Sequence, residues 1–254
     1  FSHHGMIYIM FISIVSHGHA DLIIELNVIS ELSKKNTVIL TDNVGEQVLE
    51  KYCLKHDITY ILNYKRKGFG ENNNQNFKKA KELGMRLNDY FLVLNPDVII
   101  NPTELDKLKS RMSLTNSMAG TINLLKTDQN YDNNIRYFPA LYDFVGSYLF
   151  GNTNTIIDKG KISINQEVDW ASGAFIAVSS WLYEKVGGFD ERYFMYCEDL
   201  DLCKRIKKET GKGIIYYPDI YALHKAAHQN RKIISKHFYW HLKSIFRYSF
   251  LSKY

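Results

Sequence analysis

Tyr90-Phe91-Leu92-Val93-Leu94-Asn95-Pro96-Asp97 is an apolar run halted by a polar turn. A short, unbroken apolar run of this kind reads as a strand buried on both faces. Asn-Pro stops it, which sets Asp97 just beyond its carboxyl end. Outward from that strand the same pattern repeats. Ile7–Val15 is a continuous apolar strand, and Leu22, Leu26, Ile29 and Leu32 follow at helical spacing. Thr37–Thr41 ends at Asp42-Asn43, a helix follows around Glu46–His56, and Ile58–Leu62 is a third strand. Gly68-Phe69-Gly70 opens a helix through about Leu87. This alternation predicts a parallel sheet with helices on both faces, whose ligands bind beyond the carboxyl ends of the strands.

The second half is less regular. Gly120–Leu125, Ser172–Val178 and Ile214–Tyr217 read as strands, the last ended by Pro218. Trp181–Val186, Glu198–Lys208 and a stretch from about Lys232 to Phe250 read as helices, and 126–167 is loop-rich. With no repeat, linker or low-complexity tract, one domain with a tail helix is expected.

The net charge of +5 is unevenly placed: seven Lys and Arg and no acid follow Asp219, which leaves residues 1–219 at −2. A terminal basic block points to an anionic partner, either nucleic acid or a membrane surface. Cys53, Cys197 and Cys203 show no C-x-x-C spacing, so neither a disulfide framework nor a zinc site is suggested, and a reducing cytoplasm fits. Ile7–Val15 is too short to span a bilayer, so a soluble or peripheral protein is expected. Residues 1–5 read as a tag remnant, with Met6 as the native start.

Several clusters could carry chemistry, and each has a plain structural reading beside the functional one. Asp97 could hold a hard divalent cation, or Asn95-Pro96-Asp97 could simply be a turn. Gly68–Asn76, preceded by Lys65-Arg66-Lys67, could receive a pyrophosphate on exposed N–H groups, or could be a capped helix start. Asp42 could bond a nucleobase or ribose, or cap a helix. Trp170 and Gly173 suit stacking on a sugar face, although a Trp also belongs in cores. Five acids lie between Asp190 and Asp201, interleaved with Phe194, Met195 and Tyr196. They could offset a helix dipole, or one of them, partly desolvated, could be a general base. His224 and His228 could bind metal or phosphate, or be structural.

Taken in order, Asp42-Asn43, Gly68-Phe69-Gly70 with Asn73-Asn74, Asn95-Pro96-Asp97, Trp170–Ala174, Gly187–Glu191, Phe194–Cys203 and His224 resemble the bacterial family-2 glycosyltransferases. Within that family the similarity is to the rhamnosyltransferases that build O-antigen and capsule repeat units. The resemblance implies a GT-A fold, a mixed Rossmann-like sheet flanked by helices. It also implies a nucleoside-diphosphate sugar donor, Mg²⁺ or Mn²⁺, and an inverting single displacement. By position, Asp42 and Asn43 would meet the donor base, and Gly68, Phe69, Gly70, Asn73, Asn74 and Asn95 would line the nucleotide-sugar site. Asp97 and His224 would hold the metal, Asp199 would be the base with Glu198 shaping its surroundings, and Trp170, Gly173, Asp201 and His228 would border the acceptor. Asn95 departs from the Asp-x-Asp of many relatives, so weaker metal binding is expected.

The expected division is a glycosyltransferase domain over 6–229 (donor half about 6–100, acceptor half about 101–229) and a membrane-associating basic helix over 230–254. On a helical wheel Lys232, Lys236, Lys243 and Arg247 share one side, opposite Ile234, Phe238, His241, Leu242 and Ile245. This suits an interfacial helix on anionic lipid, or else a core-packed helix with a solvated basic face. The resulting expectation is transfer of L-rhamnose from dTDP-L-rhamnose to a lipid-pyrophosphate-linked sugar. It would take place on the cytoplasmic face of the bacterial plasma membrane, with no nucleic acid involved. The alternatives are a UDP-hexose or galactofuranose donor, a nucleotidyltransferase, or a non-catalytic binder of nucleotide sugar or nucleic acid.

Overall fold

The computed structural model describes residues 8–127, 130–140, 142–144, 153–225 and 236–251. His228, Lys232 and Ile234, to which roles were assigned from sequence, lie outside them, as do residues 1–5. In the first half, strands β1 (Met10–Ser16), β2 (Thr37–Asp42), β3 (Thr59–Leu62) and β4 (Tyr90–Leu94) are parallel, in the order β3-β2-β1-β4. Their side chains alternate between two cores. Ile12, Ile14, Leu40 and Leu92 pack on one face with α1 (Ala20–Leu26), α2 (Val28–Ser33), α3 (Gln47–Lys55) and α5 (Pro102–Leu114). Phe11, Ile39, Phe91 and Val93 pack on the other with α4 (Phe69–Glu82), α6 (Ser180–Lys185) and α7 (Glu198–Thr210). Burial of each such side chain stabilises the fold by about 1.5–3 kcal/mol, so both faces must be covered.

The sheet continues through β5 (Val98–Ile99), β6 (Ala119–Leu125), β10 (Phe175–Ser179) and β11 (Ile214–His224) in the order β4-β10-β6-β11-β5, with β8 (Gln166–Val168) also on β11. Here β10 (Phe175–Ser179) is antiparallel to both β4 and β6 (Ala119–Leu125), which makes the sheet mixed. A small second sheet joins β7 (Ile135–Arg136) to β9 (Trp170–Ala171).

Three sequence readings change. The first predicted helix is two, broken at Asn27, whose φ of 53° is left-handed. Helix α5, with the Asn101 side chain accepting from the Thr103 N–H, lies where no element was read. Pro218 does not end its strand. β11 runs Ile214–His224, and its register on β6 shifts between Tyr217 and Tyr221, so the residue without an N–H falls in a bulge. The extended strand carries His224 to β5 (Val98–Ile99), opposite Val98.

The loop-rich segment is pinned by Lys159, which is 4% exposed. Its ammonium donates to Asn123 Oδ1, to the Leu124 carbonyl at 3.0 Å and to Asn134 Oδ1. Burial pushes it down to about 7, opposed by the Asp132 carboxylate, while three oxygen acceptors fit the charged form. Lys159→Met is expected to cost about 2 kcal/mol in urea unfolding, because it strands those acceptors.

Helix α8 (Lys236–Phe246), followed by a π-helical turn over Arg247–Leu251, packs against the 193–197 loop. Tyr248 is buried with Tyr193, Cys197 and Leu200, Trp240 meets Phe194 at 4.7 Å, and His241 meets Tyr196 at 4.9 Å. Of the side chains described, the wheel partition fails at Leu242, and its inner side matches the core-packed reading. His241 and Ile245 turn inward to aromatic partners that the wheel cannot see, whereas Tyr239, Leu242, Phe246 and Phe250 are exposed.

Candidate active site

The parallel strands β1, β2 and β4 all end at one edge, and their loops form a continuous rim there. Asp42 lies on this rim but is fully buried. Its carboxylate accepts from the N–H groups of Val44, Gly45 and Glu46 and from the Tyr60 hydroxyl. Its lone pairs close the β2–α3 loop. Asn43 is likewise committed: it donates to the Lys67 carbonyl at 3.0 Å and accepts from the Lys67 N–H at 3.0 Å.

The start of α4 differs from an open phosphate cradle. The Phe69 N–H donates to the Phe194 carbonyl at 3.0 Å. A Cβ on Gly68 would stand 2.6 Å from that oxygen, and one on Gly70 would stand 2.7 Å from Phe189 Cβ. The asparagines turn inward as well. Asn73 Oδ1 accepts from Ser13 Oγ at 2.6 Å, and Asn76 donates to the same hydroxyl at 2.8 Å. Asn74 accepts from the Phe189 N–H at 2.9 Å and from the Tyr183 hydroxyl at 2.8 Å. These amides fasten α4 to the sheet and to the acidic loop.

Asp97 and His224 do come together, although 127 residues apart in sequence. His224 Nε2 lies 3.4 Å from Asp97 Oδ1, and its Nδ1 lies 2.7 Å from Asp132 Oδ2. Burial would push the imidazole down, but the two carboxylates outweigh it and raise it to about 9. Burial would likewise push Asp97 and Asp132 up, and the His224 bond holds both below the usual carboxylate range. Among the described residues no group of three or more His, Cys, Asp or Glu converges as a metal cage. One carboxylate and one imidazole fit a hard cation only if diphosphate oxygens and water complete its shell.

A short backbone path joins Asp97's turn to Asp199. The Asn95 N–H donates to the Ala174 carbonyl at 3.0 Å, and the Gly173 N–H donates to Asp199 Oδ2 at 2.9 Å. Gly173 needs to be small, since a Cβ would lie 3.0 Å from the Phe69 ring. The Leu200 N–H donates to Asp199 Oδ1 at 2.7 Å. Tyr196 and Cys197, at φ 71° and 63°, form the strained turn that aims Glu198-Asp199 inward.

Burial pushes Glu198 well above the usual carboxylate range, and the neighbouring Asp199 charge adds to it. Burial also raises Asp199, against its N–H donors. Glu198 Oε2 is buried without a partner, so of the two it is Asp199 that better supports the negative charge. Trp170 Nε1 is also buried, and its hydrogen bond helps hold the Asp199 carboxyl down, while Arg136 stacks over the indole ring at 5.5 Å. Asp201 lies in the interior of the fold. It is 3% exposed and paired at 2.7 Å with Arg205, which caps the Val186 and Gly188 carbonyls.

Two features were missed in the sequence. Asp132 lay in the unassigned segment, where nothing in its neighbours marks it. Glu46 clamps the β1–α1 loop by accepting from Ser16 Oγ at 2.6 Å and from the Ala20 N–H at 2.8 Å. Ser16-His17-Gly18-His19 at the end of an apolar strand was the available signal for that loop.

The chain is similar to several known proteins. Rhamnosyltransferase WbbL of Escherichia coli K12 is 37% identical over 250 residues, spanning 96% of this chain and 92% of that protein. The N-acetylglucosaminyl-diphospho-decaprenol L-rhamnosyltransferase of Mycobacterium tuberculosis H37Rv is 31% identical over 63% of this chain and 54% of its own length. Among solved structures, GalNAc-T7 with UDP, GalNAc and Mn²⁺ superposes with a TM-score of 0.61 at 14% identity, covering 85% of this chain and 44% of that one. Staphylococcus aureus TarS 1–349 superposes at 0.57 and 15% identity, covering 85% and 60%. These two likenesses bear on the fold alone, which is of the GT-A kind. The family model described as "Glycosyltransferase like family 2" matches residues 10–242, and the chain belongs to that family as a hexose-transferring glycosyltransferase.

Proposed function

We propose that this chain transfers L-rhamnose from dTDP-L-rhamnose to the sugar of a lipid-linked diphosphate saccharide. The acceptor would be an O-antigen or capsule precursor at the cytoplasmic face of the bacterial membrane. The observation that carries the reading is the path from Asp97 through Asn95, Ala174 and Gly173 to Asp199, which sets a cation-and-phosphate edge beside a carboxylate base. The similarity to the two rhamnosyltransferases supports the donor sugar, and the diphosphate lipid in the name of the mycobacterial relative supports the acceptor class.

Asp199, oriented by the Gly173 and Leu200 N–H groups, takes the proton of the acceptor hydroxyl as that oxygen attacks the anomeric carbon. The bond to the donor's diphosphate breaks on the opposite face, which inverts the anomeric centre. Asp97 and His224 would hold Mg²⁺ or Mn²⁺, and such a cation offsets the charge of the departing diphosphate. Asp132 fixes the His224 ring through Nδ1, leaving Nε2 toward Asp97. Trp170 and Gly173 border the acceptor. No helix among the described residues is long and apolar enough to cross a membrane, and the exposed apolar face of α8 supports peripheral attachment.

The test is incubation of the protein with dTDP-L-rhamnose, Mn²⁺ and an N-acetylglucosamine-diphosphate lipid. The expected products are dTDP and a lipid heavier by one rhamnose. Turnover with UDP-hexose alone would overturn the donor, and release of pyrophosphate would indicate a nucleotidyltransferase.

A further inference from the structure

A cavity lies between α8 and the loop that leads to Asp199. It encloses about 210 Å³. That is small for a whole glycolipid, since ligand pockets run to ~300–1,000 Å³, but sufficient for a head group. Arg192, Lys243 and Arg247 line it, and among the described residues no acidic side chain does. Phe194, Tyr239 and Trp240 supply aromatic walls. The cations differ in freedom. Arg192 is held by Asp190 and Arg247 stacks over Tyr193 at 6.0 Å, so both heads are fixed in place, while Lys243 is exposed.

The cavity is mechanically part of the catalytic loop. Ser244 Oγ donates to the Met195 carbonyl at 2.8 Å, and the Phe194 carbonyl accepts from the Phe69 N–H. Asp199 follows Met195 by four residues. On the outer side, Tyr239, Leu242, Phe246 and Phe250 recur at i, i+3, i+7 and i+11 and are 64%, 49%, 57% and 61% exposed. A cationic socket thus shares a loop with Asp199 and borders an apolar stripe.

We propose that this cavity is the subsite for the acceptor's diphosphate, with the sugar reaching toward Asp199 and the polyprenyl chain leaving along the stripe. This rests on the reading above that the acceptor is a lipid-linked diphosphate saccharide. Lys243 and the two arginines recognise the two phosphates by charge-assisted hydrogen bonds. The apolar stripe suits a hydrocarbon tail and gives no reason to bind a nucleic acid.

The full chain is assayed with two acceptors: N-acetylglucosamine-diphosphate bearing a short alkyl chain, and the alkyl N-acetylglucosaminide that lacks the diphosphate. Lys243→Ala is expected to raise KM for the diphosphate acceptor ~10-fold, the equivalent of about 1.4 kcal/mol, and to erode the preference over the neutral acceptor by the same factor. Lys243→Arg is expected to restore it. Equal losses on both acceptors, or no change in their ratio, would overturn the proposal. So would weaker binding of Lys243→Ala to phosphatidylglycerol vesicles with the acceptor ratio intact, since the cavity would then serve a phospholipid head group. Binding of geranyl diphosphate against geraniol, followed by tryptophan fluorescence, gives an arm that needs no turnover. If wild type transfers to neither acceptor, the proposed function fails. Loss of geranyl diphosphate binding in Lys243→Ala would still uphold the subsite, and unchanged binding would sink it.

Discussion

Asp199→Asn is expected to lower kcat by about 10²- to 10⁴-fold, the usual share of a positioned general base, while leaving the fold as stable within about 1 kcal/mol. The asymmetry follows from burial. Glu198 and Asp199 both have carboxyl groups raised above the usual range, so the folded chain holds their protons more tightly than the unfolded one. For an acid raised in this way, stability is greatest below the unfolded pKa and falls as pH climbs through the raised one. Near neutral pH the pair therefore costs stability. Asparagine removes one charge from it, which offsets the loss of one acceptor for the Gly173 or Leu200 N–H. The wild-type rate should rise with pH along a limb displaced upward from ordinary carboxylates, because the base must be ionised. Rate-pH profiles and urea unfolding of both proteins check these outcomes. Undiminished turnover in Asp199→Asn would remove this residue from the mechanism.

Gly68→Ala is expected to destabilise the protein by about 3 kcal/mol or more, beyond the ordinary cost of an added methyl group in a packed site. Its φ of −69° suits any residue, so the cost is contact and not backbone conformation. The new Cβ would meet Phe194 O at 2.6 Å and Phe194 Cα at 2.9 Å. Those are main-chain atoms and cannot rotate aside. The loop must move, carrying Phe194 off the Phe69 N–H and disturbing the turn ahead of Asp199, so kcat should fall as well. Gly84→Ala is the comparison. Its φ of +94° is strained, but nothing lies within 4 Å, and a cost of only about 1–2 kcal/mol is expected. Urea midpoints of the two variants order them.

Tyr90–Asp97 and the Gly187–Leu202 block were readable because local pattern and tertiary role agree there: an apolar strand ends in a turn, and acids begin a helix. His224 was singled out with His228 from their place after an apolar run, and the resemblance added its role beside Asp97. Its placement depends on β11 passing Pro218, and a proline within an apolar run ordinarily reads as a stop. Only the pairing with β6 shows that a bulge absorbs it. Asp132 was invisible because its partner is 92 residues away. The partners of the α4 asparagines were hidden for a different reason. Polar residues on a helix suggest an outward face, yet Asn72, Asn73 and Asn76 point inward because Asn63, Ser13 and Thr41 meet them. Asp201 is likewise engaged from within the fold, by Arg205.

That inward ladder of amides also sets how the two ends of the molecule respond to ionic strength. Asn63, Asn72, Asn73 and Asn76 carry no formal charge, and Ser13 and Thr41 add none. Dissolved salt has little to screen in the contacts that hold α4 against the sheet. The cavity beside α8 works by exposed cations, whose reach contracts toward ~8 Å at physiological salt. Raising salt should therefore loosen the grip on an anionic head group long before it disturbs the framework that holds the catalytic edge in shape.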